Sequence, residues 1–446
     1  MRSAPYCINV LLALIMLLTG EMLAQSTIIK LPKTDTTSNF IIMNNNNETL
    51  MKLNSDGGFC LFGNVISGNI PATGSGRRLL WYPKKGAFRA GTVSGSHWDD
   101  DSIGYNSVAL GGSNIARGDY SVAMGYNNSA WGNQSVAIGE ENLASGNWAI
   151  AIGKFSVASG VSSVAIGEKS VASGPWSVAV GYQTTAFGFA SVALGDPVEA
   201  AGDSAVAIGH ELYAGAKNSV ALGNYVDINP EHEGAMVISD ASNSKSRTAS
   251  SGPQEMTMRF AGGYRLFSND ECSRGVKLVP GGNSWEGTSD STKKTNFLEA
   301  NGEYFLESLS KLRLGSWNFK DQDPKQFRHY GPMAQEIFHY FGKDAYGTIG
   351  NDTTLATADM DGIMMICLQA LEKRTSELRM AQKALEVTIG ELQKANEKIA
   401  ELENLVQLQQ TGYNELKGEI SKMKNELKSM TESVNEKLQE NVAQNR

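Results

Sequence analysis

Between residues 104 and 224, short runs of aliphatic residues alternate with Ala or Ser and return every fourteen residues. Most runs have the form Ser-Val-Ala-aliphatic-Gly, as in residues 135–139 and 163–167. Alternation with a period of two is typical of a β strand. The closing glycines keep a strict phase, at positions 111, 125, 139, 153, 167, 181, 195, 209 and 223. A period that holds without insertion or deletion predicts a solenoid of stacked coils.

Each repeat also contains a second short segment, marked by an alanine at positions 116, 130, 144, 158, 172, 186, 200 and 214. One coil is therefore expected to hold two short strands and two turns. Ala, Ser, Gly, Val and Ile supply too little volume to fill a wide core within one chain, so we expect the coils of several copies to pack together. A β-helix that folds as a single chain is the alternative.

From Leu371 onwards an apolar residue recurs at every seventh position as far as Val434. A second apolar series lies three positions after many of these residues, amid Glu and Lys. This a/d pattern predicts a coiled coil over residues 371–446. The heptads alone do not distinguish two helices from three, and Gly412 is expected to weaken the helix near its middle.

The first residues have the layout of a secretory signal peptide. Arg2 precedes an apolar run over residues 8–18, and the small residue Ala24 offers a cleavage position. We therefore expect an exported protein, found at the cell surface, in the periplasm or outside the cell. Because no later run reaches the ~20 apolar residues of a transmembrane helix, no such segment is expected in the mature chain.

The formal net charge is −8 and the chain has no basic cluster, which argues against nucleic acid as a partner. Of the four cysteines one lies in the predicted signal peptide, and the odd number left argues against a disulfide framework. The acidic group at residues 97–101 lies where the first coil begins and is better explained as a solvated cap than as a cation site. No metal ion or cofactor is predicted.

Residues 25–103 alternate short apolar runs with Asn and Gly, which is typical of hairpins or an irregular β cap. Aromatic residues at positions 81, 82 and 88 lie close to basic ones. They either form a ligand surface or cover the open end of the solenoid, which would otherwise expose its core and strand edges. We favour the second interpretation.

The fourteen-residue repeats closely resemble the head repeats of trimeric autotransporter adhesins of the YadA type. The resemblance covers residues 104 to 224, including the repeated Ser-Val-Ala-aliphatic-Gly phrase. It implies a left-handed parallel β-roll in which three chains pack side by side. The protein's first expected partner is therefore itself, as a homotrimer.

A second resemblance lies between the repeats and the coiled coil. Ser289 is followed by Asp290, a lysine comes five positions after the serine, and the phrase His-x-Gly-Pro-x-Ala-Gln runs from His329 to Gln335. Together these motifs resemble the self-cleaving C-terminal chaperone domain of phage endosialidase tailspikes and related tail fibres. The resemblance implies an intramolecular chaperone that trimerises the fibre and then cuts itself off with a serine/lysine dyad.

Carried over by position, the resemblance makes Ser289 the nucleophile and Lys294 its general base. His329 and Gln335 would support or orient the site, and Asp290 would either support it or serve only as a turn residue. The severed bond would join Thr288 to Ser289.

The sequence departs from the family pattern in one place. An arginine commonly lies between the Ser-Asp pair and the lysine, whereas here residues 291–293 are Ser, Thr and Lys. Lys293 is therefore a competing base. A chaperone that no longer cuts is the alternative to a self-cleaving one.

The predicted fold class is mainly β with an α C-terminus: a trimeric left-handed parallel β-roll, followed by an α+β chaperone domain that ends in a coiled coil. The predicted domains are a signal peptide (1–24), an N-terminal β cap (25–103), YadA-like head repeats (104–224), a connecting β segment (225–283), a chaperone and peptidase domain (284–370) and the coiled coil (371–446). The expected function is an adhesin-like fibre whose surface, glycan or protein ligand is unknown. A phage-type tail fibre and a glycan-cleaving fibre are alternatives.

Overall fold

The computed structural model describes residues 39–65, 67–242 and 246–444. The signal peptide predicted for residues 1–24, with its cleavage position at Ala24, lies outside the described residues. The chain divides into two compact units. Of the described residues, the first comprises those up to Leu266 together with Val276–Glu286, and the second comprises Phe267–Gly275 and those from Gly287 onwards.

The first unit begins with antiparallel strands. Strands β1 (Asn39–Met43), β2 (Thr49–Asn54) and β3 (Phe59–Leu61) form a three-stranded sheet in that order. Strands β4 (Gly76–Tyr82) and β5 (Ala87–Val93) then form a hairpin around a short 3₁₀ helix, Pro83–Lys85. Because β5 pairs in parallel with the first strand of the repeats, the hairpin joins directly onto the solenoid.

The repeats form a continuous stack of parallel strands. They continue the sheet of β4 and β5, which has twenty strands in all. The strands of the stack are β6 (Val108–Gly112), β7 (Ile115–Ala116), β8 (Val122–Tyr126), β9 (Ser129–Ala130), β10 (Val136–Glu140), β11 (Leu143–Ala144), β12 (Ile150–Lys154), β13 (Val157–Ala158), β14 (Val164–Glu168), β15 (Val171–Ala172), β16 (Val178–Tyr182), β17 (Thr185–Ala186), β18 (Val192–Ala200), β19 (Val206–Ala214), β20 (Val220–Ile228), β21 (Met236–Ser239), β22 (Thr248–Ala249) and β23 (Met256–Arg259).

From β6 to β20 each strand residue pairs with the residue fourteen positions later, and the interval lengthens only at the last strands, where Val220 lies opposite Met236. In β12 and β14, Ala151 lies opposite Ala165, and Gly153 lies opposite Gly167. The β-solenoid of about nine turns confirms the predicted fold class.

The alternation in each strand separates a narrow interior from an outer surface. Ala165 is completely buried, as is the preceding Ser163, whereas Val164 and Ile166 are only half-buried. In this strand the smallest side chains thus face the interior, and the larger aliphatic ones project outward. Because the stack repeats in register, this arrangement places stripes of half-buried aliphatic residues along the outside.

Glycine is required where successive coils touch. Gly153 has φ of 120°, in a region that favours glycine. A Cβ atom at this position would lie 2.0 Å from the carbonyl oxygen of Gly167. The strict phase of the glycines is therefore a consequence of backbone contact between coils.

An asparagine ladder crosses the first coils, and we did not predict it. Asn128 Nδ2 donates to Asn114 Oδ1 at 3.0 Å, and Asn142 Nδ2 donates to Asn128 Oδ1 at 2.9 Å. Asn128 Nδ2 also lies 2.7 Å from the carbonyl oxygen of Gly139. Since each buried amide finds partners in the adjacent coils, the ladder satisfies polar groups that would otherwise be costly to bury.

The start of the stack encloses large side chains. Trp98 is completely buried, and its Nε1 donates to the carbonyl oxygen of Asn114 at 2.9 Å. Arg89 is also completely buried and donates to the carbonyl oxygens of Ser107 and Ala116, at 2.8 and 3.0 Å. Desolvation lowers the pKa of Arg89 to about 10. These contacts close the open end of the solenoid with a hydrogen-bonded plug.

Beyond the stack, strands β24 (Tyr264–Phe267), β25 (Gly275–Leu278) and β26 (Glu286–Gly287) form a small sheet in that order. The remaining elements are an antiparallel pair, β27 (Gly315–Trp317) and β28 (His329–Gly331), and three helices, α1 (Gly302–Ser310), α2 (Ala334–Phe341) and α3 (Thr357–Gln444).

Helix α1 packs against both other helices. Tyr304 Oη of α1 donates to the carbonyl oxygen of Tyr340 in α2 at 2.9 Å, and Arg374 of α3 forms an ion pair with Glu303. Asn301 caps α1 by accepting a hydrogen bond from the backbone N–H of Tyr304. These contacts tie the start of the long helix to the small α+β region.

Helix α3 has 88 residues and continues through Gly412 without a break. Its heptad positions are exposed in the single chain, with Leu378 at 71% and Leu427 at 69%. Among the described residues, no helix is both long and apolar enough to cross a membrane.

Candidate self-cleavage site

The side chains of Ser289 and Lys294 are in direct contact. Lys294 Nζ donates a hydrogen bond to Ser289 Oγ at 2.7 Å. Lys294 is the C-cap of a short 3₁₀ helix, Ser291–Lys293, and Ser289 directly precedes its N-cap, Asp290. The turn brings the lysine back towards the serine, because the backbone N–H of Lys294 donates to the carbonyl oxygen of Ser291 at 3.2 Å.

Asp290 stabilises this turn as its N-cap. Its Oδ1 accepts hydrogen bonds from the backbone N–H and the hydroxyl of Thr292, at 2.9 and 2.8 Å. These two bonds lower the pKa of the Asp290 carboxyl below its usual value, and the bond from the backbone N–H has the larger effect. In the single chain Asp290 therefore shapes the loop that carries the dyad, and its carboxylate is engaged with Thr292.

The neighbouring lysine, Lys293, is not the one that hydrogen-bonds to Ser289. Its backbone N–H donates to the carbonyl oxygen of Asp290 at 3.1 Å. Among the hydrogen bonds of the described residues, Ser289 Oγ accepts from Lys294 and from no other lysine. The geometry thus favours Lys294 over Lys293 as the partner of the serine.

Thr288, on the other side of the predicted cleavage position, is held by the neighbouring strand. Its backbone N–H donates to the carbonyl oxygen of Gly275 at 3.2 Å. The bond between Thr288 and Ser289 therefore lies between an anchored residue and a capped turn.

His329 belongs to a separate aromatic cluster. It lies opposite Trp317 in the β27–β28 pair, and the two ring centroids are 4.8 Å apart. Phe319 contacts the same imidazole with a centroid distance of 5.7 Å, and His329 Nε2 lies 3.1 Å from Gln322 Oε1. Spacing along the chain did not point to these partners, because they meet across a hairpin.

Gln335 lies in the first turn of α2 and is exposed. Within the described residues, no hydrogen bond or ring contact joins His329 or Gln335 to Ser289 or Lys294. The neighbouring Glu336 has a structural role that the sequence did not reveal: it accepts a hydrogen bond from the backbone N–H of Arg313 at 2.9 Å. In the single chain the second motif thus organises the hairpin and α2.

Both members of the dyad are exposed to solvent. A lysine acts as a general base only where its surroundings disfavour the ammonium form. The contact between Nζ and Oγ is therefore present, while the desolvation that base chemistry needs is lacking in an isolated chain.

An open cleft of about 770 Å³ lies beside α3. One wall is the segment 297–303, and the other includes Ile366, Ala370 and Lys373 of the helix. Phe297, at its edge, is 91% exposed. A large aromatic side chain with so little contact in its own chain is available to pack against another chain.

Two protein-family models match this chain. The YadA head domain repeat matches residues 102–128, 130–156, 158–184, 177–196 and 200–225. The model described as chaperone of endosialidase matches residues 289–343, a segment that begins at Ser289 and includes Lys294, His329 and Gln335. Both resemblances stated from the sequence are thereby confirmed.

None of the curated proteins compared with this chain matches it. The two family matches together indicate a YadA-like adhesin or fibre that carries an endosialidase-type chaperone domain. YadA-like head repeats also indicate a surface or secreted protein.

Proposed function

We propose that this protein is an exported homotrimeric fibre whose C-terminal domain acts as an intramolecular chaperone and cuts itself off between Thr288 and Ser289. The observation that carries the cleavage is the 2.7 Å contact between Lys294 Nζ and Ser289 Oγ. It supports the assignment because it joins the two residues that the resemblance names as base and nucleophile.

Exposed apolar surface supports the trimer. The a/d positions of α3, such as Leu378 and Leu427, lack a partner helix in the single chain, and an isolated helix with an apolar seam is stabilised by association. Val164 and its equivalents leave similar aliphatic stripes on the solenoid. Three chains associated side by side would cover both surfaces, and the open cleft next to Phe297 would receive part of a neighbouring chain.

Cleavage would proceed in two steps, the formation of an ester and its hydrolysis. Lys294 accepts the proton of Ser289 Oγ, which attacks the carbonyl carbon of Thr288; the C–N bond breaks and the proton passes to the departing amine of Ser289. Water then hydrolyses the ester, which restores the serine hydroxyl and leaves a carboxylate on Thr288. The chain is both enzyme and substrate, and no cofactor takes part.

We further propose the domain boundaries given above, from the β cap at 25–103 to the coiled coil at 371–446. The fibre would present the solenoid at a cell surface, in the periplasm or outside the cell, with a surface protein or glycan as its ligand and no nucleic acid. A phage-type tail fibre is the alternative placement.

Electrophoresis and N-terminal sequencing of the expressed protein test the proposal. We expect wild type to yield a fragment that begins at Ser289 without added protease. Ser289→Ala and Lys294→Ala remove the nucleophile and the base, so both should remain full-length. Lys293→Ala is the matched control, because among the described residues no hydrogen bond joins its side chain to Ser289, and it should still cut.

Refolding the chain at several concentrations distinguishes cleavage that requires the trimer from cleavage within a single chain. If desolvation by neighbouring chains completes the dyad, cleavage slows as the chain concentration falls. Wild-type trimers that stay intact would refute self-cleavage and leave the chaperone that no longer cuts. Cleavage of Ser289→Ala at the wild-type rate would refute the assignment of the nucleophile.

A further inference from the structure

Aromatic residues recur along one edge of the solenoid. Tyr120, Trp148 and Trp176 occupy the same position in the turn that leads from the second strand of one coil to the first strand of the next. They are separated by two coils each, with Gln134 and Ser162 at the same position of the coils between them. Since neighbouring strands lie ~4.8 Å apart, successive aromatic residues are about 10 Å apart along the stack.

Neither burial nor backbone preference accounts for these side chains. Tyr120, Trp148 and Trp176 are 60%, 52% and 57% exposed, so the fold gains little from their apolar surface. Their φ angles are 60°, 59° and 58°, in the left-handed region that disfavours bulky residues by roughly 1–2 kcal/mol. Asn218, a residue that tolerates this region well, holds the same position in a later coil with φ of 57°. The chain therefore keeps large rings where asparagine would fit with less strain.

Polar groups lie beside Trp148, whereas Trp176 packs edge-to-face against Phe189 with ring centroids 4.8 Å apart and keeps its outer face exposed. Trp148 Nε1 donates to Gln134 Oε1 at 3.0 Å, which fixes the indole and leaves the amide nitrogen of Gln134 at the surface. In the adjacent column, Asn133 and Asn147 are exposed. Asn147 Oδ1 accepts from the backbone N–H of Asn133 at 3.0 Å. Within the described residues, the Nδ2 groups of these two asparagines donate to no protein acceptor.

Charge narrows the class of ligand. The column from Tyr120 to Trp176 contains no charged residue, and over the same coils the adjacent column contributes one carboxylate, Asp119, and no cation. An anionic polymer would therefore find no ion pair beside the three rings. Protein partners favour continuous apolar patches, whereas these rings alternate with Gln134 and Ser162.

We propose that Tyr120, Trp148 and Trp176 form a binding site for an extended, uncharged β-1,4-linked polysaccharide. A pyranose ring has an apolar face that packs on an aromatic ring, and its hydroxyls hydrogen-bond to amide side chains at the ring's edge. The spacing of about 10 Å is close to the length of two β-1,4-linked sugars. Every second sugar therefore stacks on an aromatic ring, and the sugars between these hydrogen-bond through their hydroxyls to the amides of Asn133, Asn147 and Gln134.

The aromatic residues lie on a different part of the coil from the aliphatic stripes proposed for the trimer contact. The aliphatic stripes project from the strands, as at Val164, whereas the aromatic residues lie in a turn. The inference does not rest on self-cleavage, so its test is separate from that of the dyad.

Calorimetric titration of the full-length protein with cellohexaose and with chitohexaose tests the proposal, with maltohexaose as the α-linked, curved control. We expect binding of at least one β-linked hexasaccharide and none of maltohexaose. The double variant Trp148→Asn/Trp176→Asn removes two rings and relieves the left-handed backbone. It should keep the fold and weaken binding by about 100-fold, tenfold for each ring.

Phe155→Asn is the matched control, because Phe155 also has a left-handed backbone, with φ of 55°, but lies in the other turn of the coil. Its affinity should equal that of wild type. The proposal is overturned if neither β-linked sugar binds at millimolar concentration or if maltohexaose binds equally well. It is also overturned if the double variant, shown to be folded by circular dichroism, binds as tightly as wild type.

Discussion

The contact between glycines of successive coils gives the sharpest prediction about stability. Replacing Gly153 by alanine would place a Cβ atom 2.0 Å from the carbonyl oxygen of Gly167 and force alanine to adopt φ of 120°. Forced overpacking costs about 1–3 kcal/mol, and a strained backbone conformation costs a further 1–3 kcal/mol or so. We therefore expect Gly153→Ala to lower the free energy of unfolding by about 2–6 kcal/mol.

Two further glycines separate these contributions. A Cβ at Gly160 would lie 2.1 Å from the carbonyl oxygen of Gly174, yet Gly160 is not in the left-handed region, so Gly160→Ala measures the close contact alone. A Cβ at Gly262 meets nothing within 4 Å. Gly262→Ala is thus the control without either effect.

Thermal unfolding followed by far-UV circular dichroism distinguishes the three variants. We expect Gly153→Ala to unfold about 10 °C below wild type, since 1 kcal/mol corresponds to roughly 2–4 °C for a unit of this size. Gly160→Ala should lie between it and Gly262→Ala, which should match wild type. If Gly153→Ala unfolds no earlier than Gly262→Ala, the reasoning from coil contacts is refuted.

Two other predictions concern packing and acid stability. Val164→Asp should leave the coils folded but weaken the trimer in sedimentation, because Val164 projects outward. Ala165→Asp buries an unpaired charge and should unfold the coil itself. Equal effects of the two variants would contradict the assignment of the inward and outward faces. The Tyr82 hydroxyl and then Lys85 lower the pKa of Asp100, so Asp100 stabilises the fold above its unfolded pKa and loses this contribution as the pH falls below about 4. Urea unfolding should therefore show Asp100→Asn to be less stable than wild type at pH 7, and this difference in stability should shrink in acid. A difference that does not change with pH would refute the role of the ionised Asp100 carboxylate.

The fold was predictable from sequence where local contacts repeat. The phase of the glycines predicted the stack, because each glycine faces its own equivalent in the next coil, as Gly153 faces Gly167. Alternation alone could not say which set of side chains faces inward. The structure places Ala165 inside and Val164 outside, and it buries larger residues such as Leu212 at another inward position of the coil.

At the candidate site, too, contacts within one short segment were predictable and contacts between distant segments were not. The spacing from Ser289 to Lys294 predicted a contact that a single capped turn produces locally. The partners of His329 could not be predicted, because Trp317 and Gln322 reach it through a hairpin and a loop. Heptad spacing predicted the long helix, which continues through Gly412.

The exposed dyad bears on how cleavage is timed. Since one chain already brings Lys294 Nζ to Ser289 Oγ, formation of this contact would not delay the proposed reaction until the fibre has assembled. Control must then come from the surroundings of the dyad, namely the removal of water from the lysine and the approach of groups that the single chain holds elsewhere. In the proposed trimer, packing of neighbouring chains against α3 and the exposed segment at Phe297 would supply both at once. A chaperone regulated in this way would keep its covalent link to the fibre while the chains are still separate and would lose it only after they have assembled.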